Sequence, residues 1–141
     1  MVKITMLEQL LTQLSQELEF PAVPTKDDQQ MFHVPINPSM NISMKELDPG
    51  IFLFSQIGPC PPQKREELFI LLMKANFLGQ GTGGGTIGMD PEEKFLTLSL
   101  ALPYDMNYKA FKGIVEDFAN FVDYWREELI RHQQAAVTSV Y

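Results

Sequence analysis

Cysteine is almost absent from this chain, with Cys60 the single thiol among 141 residues. One thiol cannot form an internal disulfide, and one cysteine with two distant histidines does not supply the ligand set of a structural zinc site. A chain that uses no disulfides is typical of a reducing compartment. We therefore expect a cytoplasmic protein without a disulfide framework or a metal site.

Positive charge is in the minority. Lys and Arg together number 11 against 18 Asp and Glu, which gives a formal net charge of −7 at pH 7. An acidic chain is repelled at long range by phosphate backbones and by anionic lipid surfaces. The charge balance predicts that nucleic acid is not a partner.

Long apolar runs are also missing. The longest, from Leu68 to Met73, is far shorter than the ~20 residues that span a bilayer. The chain opens on Met1-Val2-Lys3-Ile4-Thr5 and passes directly into a helical pattern rich in Glu and Gln, which is unlike a signal peptide. We expect neither membrane insertion nor a secretory leader.

Apolar residues are plentiful: they make up 45% of the sequence, and aromatic residues make up 11%. This composition supports a full hydrophobic core, and the length suits one domain. We predict an α+β domain over residues 1–133 and a flexible tail over residues 134–141.

The first helix is predicted from a stripe of leucines and an N-terminal cap. Thr5 and Glu8 have the spacing of a capping box, and Pro21 ends the pattern. The apolar side of this helix is narrow and is surrounded by Gln and Glu. Its stripe consists of Ile4, Leu7, Leu10, Leu11, Leu14 and Leu18.

The remaining elements follow from hydrophobic period and turn residues. Alternation predicts three strands, then two more after a glycine loop, with a helix before that loop and a longer helix at the end. The sheet is expected to be mostly antiparallel, with the first and last helices packed against it. The predicted strands are Met31–Ile36, Met40–Leu47, Gly50–Ile57, Thr86–Asp90 and Lys94–Leu102. The predicted helices are Pro62–Phe77 and Asn107 to about His132.

Two patterns with potential chemistry do not amount to sites. Residues 79–84 satisfy GxGxxG, but a helix precedes the loop and a strand follows it, the reverse of the order in dinucleotide-binding folds. Cys60 with His33 or His132 could form a nucleophile and a base, although nothing in the sequence brings them together. We predict no catalytic residue, no cofactor and no metal, and hence a protein that is not an enzyme.

The order of elements resembles the class I type III secretion chaperones, the Tir-chaperone family. The likeness rests on Leu68-Phe69-Ile70-Leu71-Leu72-Met73-Lys74-Ala75-Asn76, on Gly84-Gly85-Thr86-Ile87-Gly88-Met89-Asp90, and on Leu96-Thr97-Leu98. The late Phe118, Phe121, Trp125 and Leu129 also match the style of the family.

The resemblance implies a bacterial protein that binds the non-globular N-terminal segment of one or more effectors without ATP and keeps them secretion-competent. It also implies a homodimer, or a heterodimer with a related chaperone, built through the second helix and the strand after the glycine loop. The helix before that loop carries more apolar surface than one sheet can cover, which favours such a dimer. We place at the two-fold interface the residues Leu68, Leu71, Leu72, Ile87 and Met89.

An unfolded partner can add strands to sheet edges and place apolar side chains in grooves. We assign this role to the narrow first helix and to strands whose methionines can repack around varied partners. The predicted effector contacts are Leu7, Leu10, Leu11, Leu14, Ile42, Met44, Phe52 and Phe54. For Leu11, Phe52 and Phe54, a place in the core is at least an equal alternative.

Two other functions stay open at this point. A regulatory protein on the same scaffold could sequester a transcription or secretion factor instead of an effector. A small-molecule enzyme of the α+β class would need a pocket with convergent polar groups.

Overall fold

The computed structural model describes residues 4–138 of the chain. These residues form three α-helices and a five-stranded sheet with the strand order β1-β2-β3-β5-β4. The α+β fold class is thereby confirmed. The helices are α1 (Met6–Glu17), α2 (Arg65–Asn76) and α3 (Tyr108–Thr138), and the strands are β1 (Met31–Asn37), β2 (Met40–Leu47), β3 (Gly50–Pro59), β4 (Thr86–Met89) and β5 (Phe95–Leu102).

The described chain divides into two compact units. Unit 1 contains residues 4–54 and 101–117, and unit 2 contains residues 55–100 and 118–138. In unit 1, β1 pairs antiparallel with β2, and β2 pairs antiparallel with β3. In unit 2, β4 pairs antiparallel with β5. The mostly antiparallel sheet is as predicted.

Helix α1 begins where its cap predicts. The Thr5 hydroxyl accepts the Glu8 N–H at 3.3 Å, whereas the Glu8 carboxylate pairs with Lys26 at 3.4 Å. The carboxylate of Glu46, on β2, accepts the Leu7 N–H at 3.0 Å and so satisfies a free donor of the first turn. Burial raises the pKa of Glu46, and the bond from Leu7 opposes that rise.

The turn between β2 and β3 requires glycine at its last position. Gly50 has a φ of +111°, and a Cβ there would lie 2.0 Å from the Leu102 carbonyl oxygen. No other residue type fits this close approach to the end of β5. The Asp48-Pro49-Gly50 turn therefore joins two strands of unit 1.

Two helix limits differ from the prediction by more than one residue. Helix α2 begins at Arg65 rather than Pro62, since the Cys60 N–H still pairs with the Lys94 carbonyl at 2.8 Å and keeps the chain extended. Helix α3 continues to Thr138, beyond the expected end at about His132. The domain limit at residue 133 and the flexible tail stay predictions, and residues 139–141 lie outside the described part of the chain.

Helix α3 buries a stripe of aromatic and aliphatic side chains spaced three and four residues apart. In unit 1 this stripe contributes Phe111 and Val115 to the core, and in unit 2 it contributes Phe118, Val122, Trp125 and Leu129. Within unit 2, the Arg126 guanidinium donates to the Gln56 carbonyl of β3 at 3.3 Å. Helix α3 therefore covers this part of β3, as the sequence predicted.

The C-terminal end of α1 is tied to the start of α3 within unit 1. The Glu17 carboxylate accepts hydrogen bonds from both the Tyr108 hydroxyl and the Lys112 ammonium group. The bond from Lys112 lowers the pKa of Glu17 most, and the bond from Tyr108 lowers it further. Burial, with the bond to Glu17 as the second cause, raises the pKa of Tyr108 to about 12. The three groups form one network on exposed surface.

This network predicts a pH-dependent contribution to stability. A carboxylate with a lowered folded pKa stabilises the fold above its unfolded pKa of about 4.3, and this contribution is lost as the pH falls through the folded value. We expect Glu17→Gln to unfold at a lower temperature than the natural protein at pH 7, with a difference that shrinks below pH ~4. Thermal unfolding from pH 7 to 3 measures this. Glu116→Gln, which removes the other carboxylate near Lys112, is the matched control, and an equal pH dependence in both variants would contradict the assignment.

Candidate functional site

The eight predicted effector contacts all belong to unit 1, and most of them are buried in its core. Six of the eight side chains are buried, and the other two are half-buried and lie on β3. The buried six, on α1 and β2, are Leu7, Leu10, Leu11, Leu14, Ile42 and Met44. The half-buried pair is Phe52 and Phe54. A partner segment would reach the buried six only after a movement of the chain, and their role as contacts stays a prediction.

A groove does open beside α1 in unit 1, and we call it the α1 groove. It has a volume of about 360 Å³ and is lined by Ile4, Glu8 and Thr12 on the α1 side, by residues 23–26 of the connector between α1 and β1, and by Phe32 of β1. Ile4 and Val23 are large apolar side chains exposed to solvent. The sequence did not predict that residues 23–26 line a groove, because the polar residues of the connector indicate only a solvated loop.

Helix α2 in unit 2 exposes much of its apolar surface. Only Leu68 and Leu72 are buried, whereas Ile70, Leu71 and Met73 are exposed. Phe77 and Leu78, directly after the helix, are exposed as well. We call these five exposed side chains the α2 patch. The predicted dimer interface did not include Ile70, Met73, Phe77 or Leu78, although the unbroken apolar run from Leu68 to Met73 already indicates more than one apolar side.

The predicted dimer residues separate into two groups by burial. Leu68, Leu72 and Ile87 are buried within unit 2, and Leu71 and Met89 are exposed. A groove of about 250 Å³ lies between α2 and β4, with Phe69, Leu72 and Met73 on one side and Ile87 and Met89 on the other. The structure thus brings all the predicted dimer residues to α2 and β4 of one unit.

The glycine loop packs against α3 rather than standing free. Trp125 Nε1 donates to the Gly81 carbonyl at 3.0 Å. A Cβ at Gly83, where φ is +65°, would lie 2.5 Å from the Phe121 ring. The rings of Tyr124 and Trp125 meet edge to face at 5.1 Å and line a third groove, of about 550 Å³, together with Leu71 and Lys74 of α2. In unit 2 the loop therefore provides main-chain surface for the aromatic side chains of α3.

The candidate nucleophile contacts an arginine and a methionine. Cys60 Sγ accepts a bond from Arg65 Nη2 at 3.1 Å and lies 3.9 Å from Met89 Sδ. His33 instead bonds to Asp27 at 2.7 Å and to Ser43 at 3.1 Å. Within residues 4–138, no group of three or more His, Cys, Asp or Glu side chains could hold a metal ion. Nor is any helix in this range long and apolar enough to cross a membrane.

Comparison with known proteins finds one matching family model and a similar protein from a bacterium. The family model of the Tir chaperone protein (CesT) family matches residues 9–126. A protein of Chlamydia pneumoniae is 26% identical over 126 residues, which cover 88% of this chain and 96% of that protein.

Two solved complexes contain a chain of similar fold. The HopA1–SchA chaperone–effector complex gives a TM-score of 0.66 at 15% identity, over 86% of this chain and 94% of the other. The heterodimeric ExoU–SpcU complex from the type III secretion system of Pseudomonas aeruginosa gives a TM-score of 0.62 at 11% identity. This match covers 88% of this chain and 94% of the other. At these identities the likeness shows the fold.

Proposed function

This chain belongs to the Tir chaperone protein (CesT) family, as its resemblance indicated, and we propose that it is a type III secretion chaperone. In this proposal it binds the non-globular N-terminal segment of one or more effector proteins in the bacterial cytoplasm. It keeps them soluble and competent for secretion, and it uses no ATP. The partners are secreted effectors and a second chaperone chain.

The observation that carries this proposal is the exposure of large apolar side chains on α2 and the turn after it. Several large apolar side chains exposed within one short segment of chain are typical of a surface that contacts another protein. The five side chains of the α2 patch lie in a chain whose net charge is −7. A protein that acts by binding other polypeptides, and not by covalent chemistry, accounts for this surface best.

We assign the α2 patch and the groove between α2 and β4 to a second copy of the chain. In an isologous dimer the same patch serves both copies, so one set of exposed side chains is enough for the contact. Leu71 and Met89 would contact the partner copy directly. Leu68, Leu72 and Ile87 are buried in unit 2 and would hold α2 and β4 in position for the interface. With a related chaperone in place of the second copy, the same surface would form a heterodimer.

We assign the α1 groove and the neighbouring strands to the effector segment. Ile4 and Val23 form its exposed apolar rim, whereas the predicted leucines of α1 are buried and are not among the residues that line it. An extended segment binds such a site by placing alternate side chains in the groove while it gives up its own conformational freedom. Phe52 and Phe54, half-buried on β3, remain proposed contacts of the same segment.

The decisive experiment identifies the co-purifying partner and then measures its binding. The tagged chain is isolated from its native cell, and the N-terminal segment of the recovered protein is titrated calorimetrically. We expect burial of roughly 1,000–3,000 Å² and a large negative heat-capacity change. A heat-capacity change near zero would refute the proposal. Recovery of a transcription or secretion regulator in place of a secreted protein would favour the regulatory alternative.

Matched variants locate the site on the chain. Ile4→Asp with Val23→Asp places two charges on the exposed rim of the α1 groove, and we expect it to weaken binding at least tenfold. Ile130→Asp changes an equally exposed apolar residue on α3 and should leave the affinity unchanged. If the rim variant folds and binds normally, the groove assignment is wrong.

A further inference from the structure

The two edges of the sheet are closed by different means. At the β4 edge, the Asn76 side chain donates to the Ile87 carbonyl at 3.0 Å and accepts the Ile87 N–H at 2.7 Å. The Gly85 N–H donates to the Thr82 carbonyl at 3.2 Å, and the buried Thr82 hydroxyl donates to the Gly85 carbonyl. These partners belong to α2 and to the packed glycine loop. The β4 edge is therefore occupied by groups that cannot leave without disrupting unit 2.

At the β1 edge, the occupant is the connector between α1 and β1. Lys26 forms a single antiparallel bridge with Phe32. The Asp27 N–H donates to the Met31 carbonyl at 2.9 Å, and the Asp27 carboxylate accepts the Met31 N–H at 2.9 Å. The second carboxylate oxygen of Asp27 bonds to His33 at 2.7 Å. An extended piece of this chain thus lies where a partner strand would pair.

We call residues 23–27 the strap. Its residues 23–26 form one wall of the α1 groove, so the same segment covers both the strand edge and the groove. Its attachments lie at the exposed surface of unit 1. The strap is held by the bridge of Lys26 to Phe32, by the bonds of Asp27 to Met31 and His33, and by the Lys26–Glu8 ion pair at 3.4 Å between partly exposed side chains. Exposed ion pairs of this kind contribute little to stability.

The ends of the connector are suited to movement. Glu19 and Gln30 both have left-handed backbone angles, with φ of +56° and +66°. Non-glycine residues adopt this region at a cost, which a change of conformation would release. Pro21 and Pro24 restrict the backbone conformations available between Glu19 and Gln30. The segment can therefore swing as a unit about its two ends.

We propose that the strap is an autoinhibitory segment that occupies the β1 edge and the α1 groove in the free protein, and that an extended partner segment displaces it. This inference rests on the proposed function, because it assumes that an unfolded polypeptide binds at this site. Displacement exchanges the Lys26 bridge, the Asp27 bonds to Met31 and His33 and one partly exposed ion pair for a longer strand with apolar side chains in the groove. The displaced strap then leaves Phe32 accessible to the incoming segment.

The test compares two neighbouring aspartates in the full-length protein. Asp27→Ala removes the carboxylate that bonds to Met31 and His33, whereas Asp28→Ala removes an equal charge one residue away. Amide hydrogen exchange of the free protein should show the Met31 N–H exchanging roughly tenfold faster in Asp27→Ala only, since local opening governs exchange. Asp27→Asn keeps an oxygen acceptor for Met31 and should give an intermediate rate. If Asp27→Ala folds poorly, Asp27→Asn replaces it in the comparison with Asp28→Ala.

The binding readout uses the labelled N-terminal segment of the protein recovered by co-purification. A competing closed state reduces apparent affinity by the fraction of open protein, so opening the strap should raise the affinity about 3- to 10-fold in Asp27→Ala and leave Asp28→Ala unchanged. Equal affinity in all variants, despite faster exchange at Met31, would overturn the strap proposal while the proposed function stands. Absence of binding in every variant, the natural protein included, would refute the proposed function itself.

Discussion

Trp125→Ala should lower the free energy of unfolding by about 3–5 kcal/mol, the range for truncation of a large core side chain. The Trp125 side chain is only 3% exposed, and its indole N–H donates to the Gly81 carbonyl at 3.0 Å. The substitution therefore leaves a cavity beneath α3 and an unpaired carbonyl in the glycine loop. Chemical denaturation followed by circular dichroism measures the change.

The neighbouring Tyr124 supplies the control for this prediction. Its ring contacts that of Trp125 edge to face, yet it is 51% exposed, so Tyr124→Ala should cost no more than about 1 kcal/mol. Trp125→Phe keeps most of the apolar volume, loses the hydrogen bond and should fall between the two. A loss below about 1 kcal/mol for Trp125→Ala would mean that the ring does not support the fold as described.

Leu71→Glu combined with Met73→Glu should convert the proposed dimer into a folded monomer. These side chains are 43% and 72% exposed in the single chain, so charges there are tolerated in the monomer. In a dimer built on α2, the same carboxylates would be buried in an apolar interface without partners, which costs several kcal/mol. Light scattering should show one chain of 16.1 kDa instead of two.

The position of the charge is what makes this test specific. Ile130→Glu, at a 53% exposed apolar residue of α3, should leave the dimer intact. Leu72→Glu is less informative, since Leu72 is buried in unit 2 and a charge there would destabilise the monomer itself. A monomeric natural protein, or a dimer that survives the double substitution, would contradict the assignment of the α2 patch.

Local sequence signals predicted most of the elements. The alternation of Met40, Ile42 and Met44 marks β2, and all three side chains are buried on one face. The three- and four-residue spacing along α3 identifies its buried stripe, and Thr5 fixes the start of α1. These signals succeed because they depend on backbone geometry and on neighbours close in the chain.

The site was harder to predict, and the leucines of α1 show why. Leu7, Leu10, Leu11 and Leu14 form one apolar stripe, which the sequence alone assigns equally well to a partner or to the core. Their burial in unit 1 depends on packing against β2, a contact between segments some 30 residues apart in the chain. The opposite holds for α2, where a run that looks fully buried leaves Ile70, Leu71 and Met73 exposed.

The sequence by itself determined the acidic character, the α+β order of elements and the family of this protein, because composition and hydrophobic period are properties of the chain. Only the tertiary structure decided which apolar surfaces stay uncovered and how each sheet edge is closed. The bonds of Asn76 to Ile87 and of Asp27 to Met31 are side-chain contacts set by the packing of α2 and by the path of the connector. Periodicity tells which side chains share a face, but the neighbour that covers the face is fixed only when the whole chain has folded.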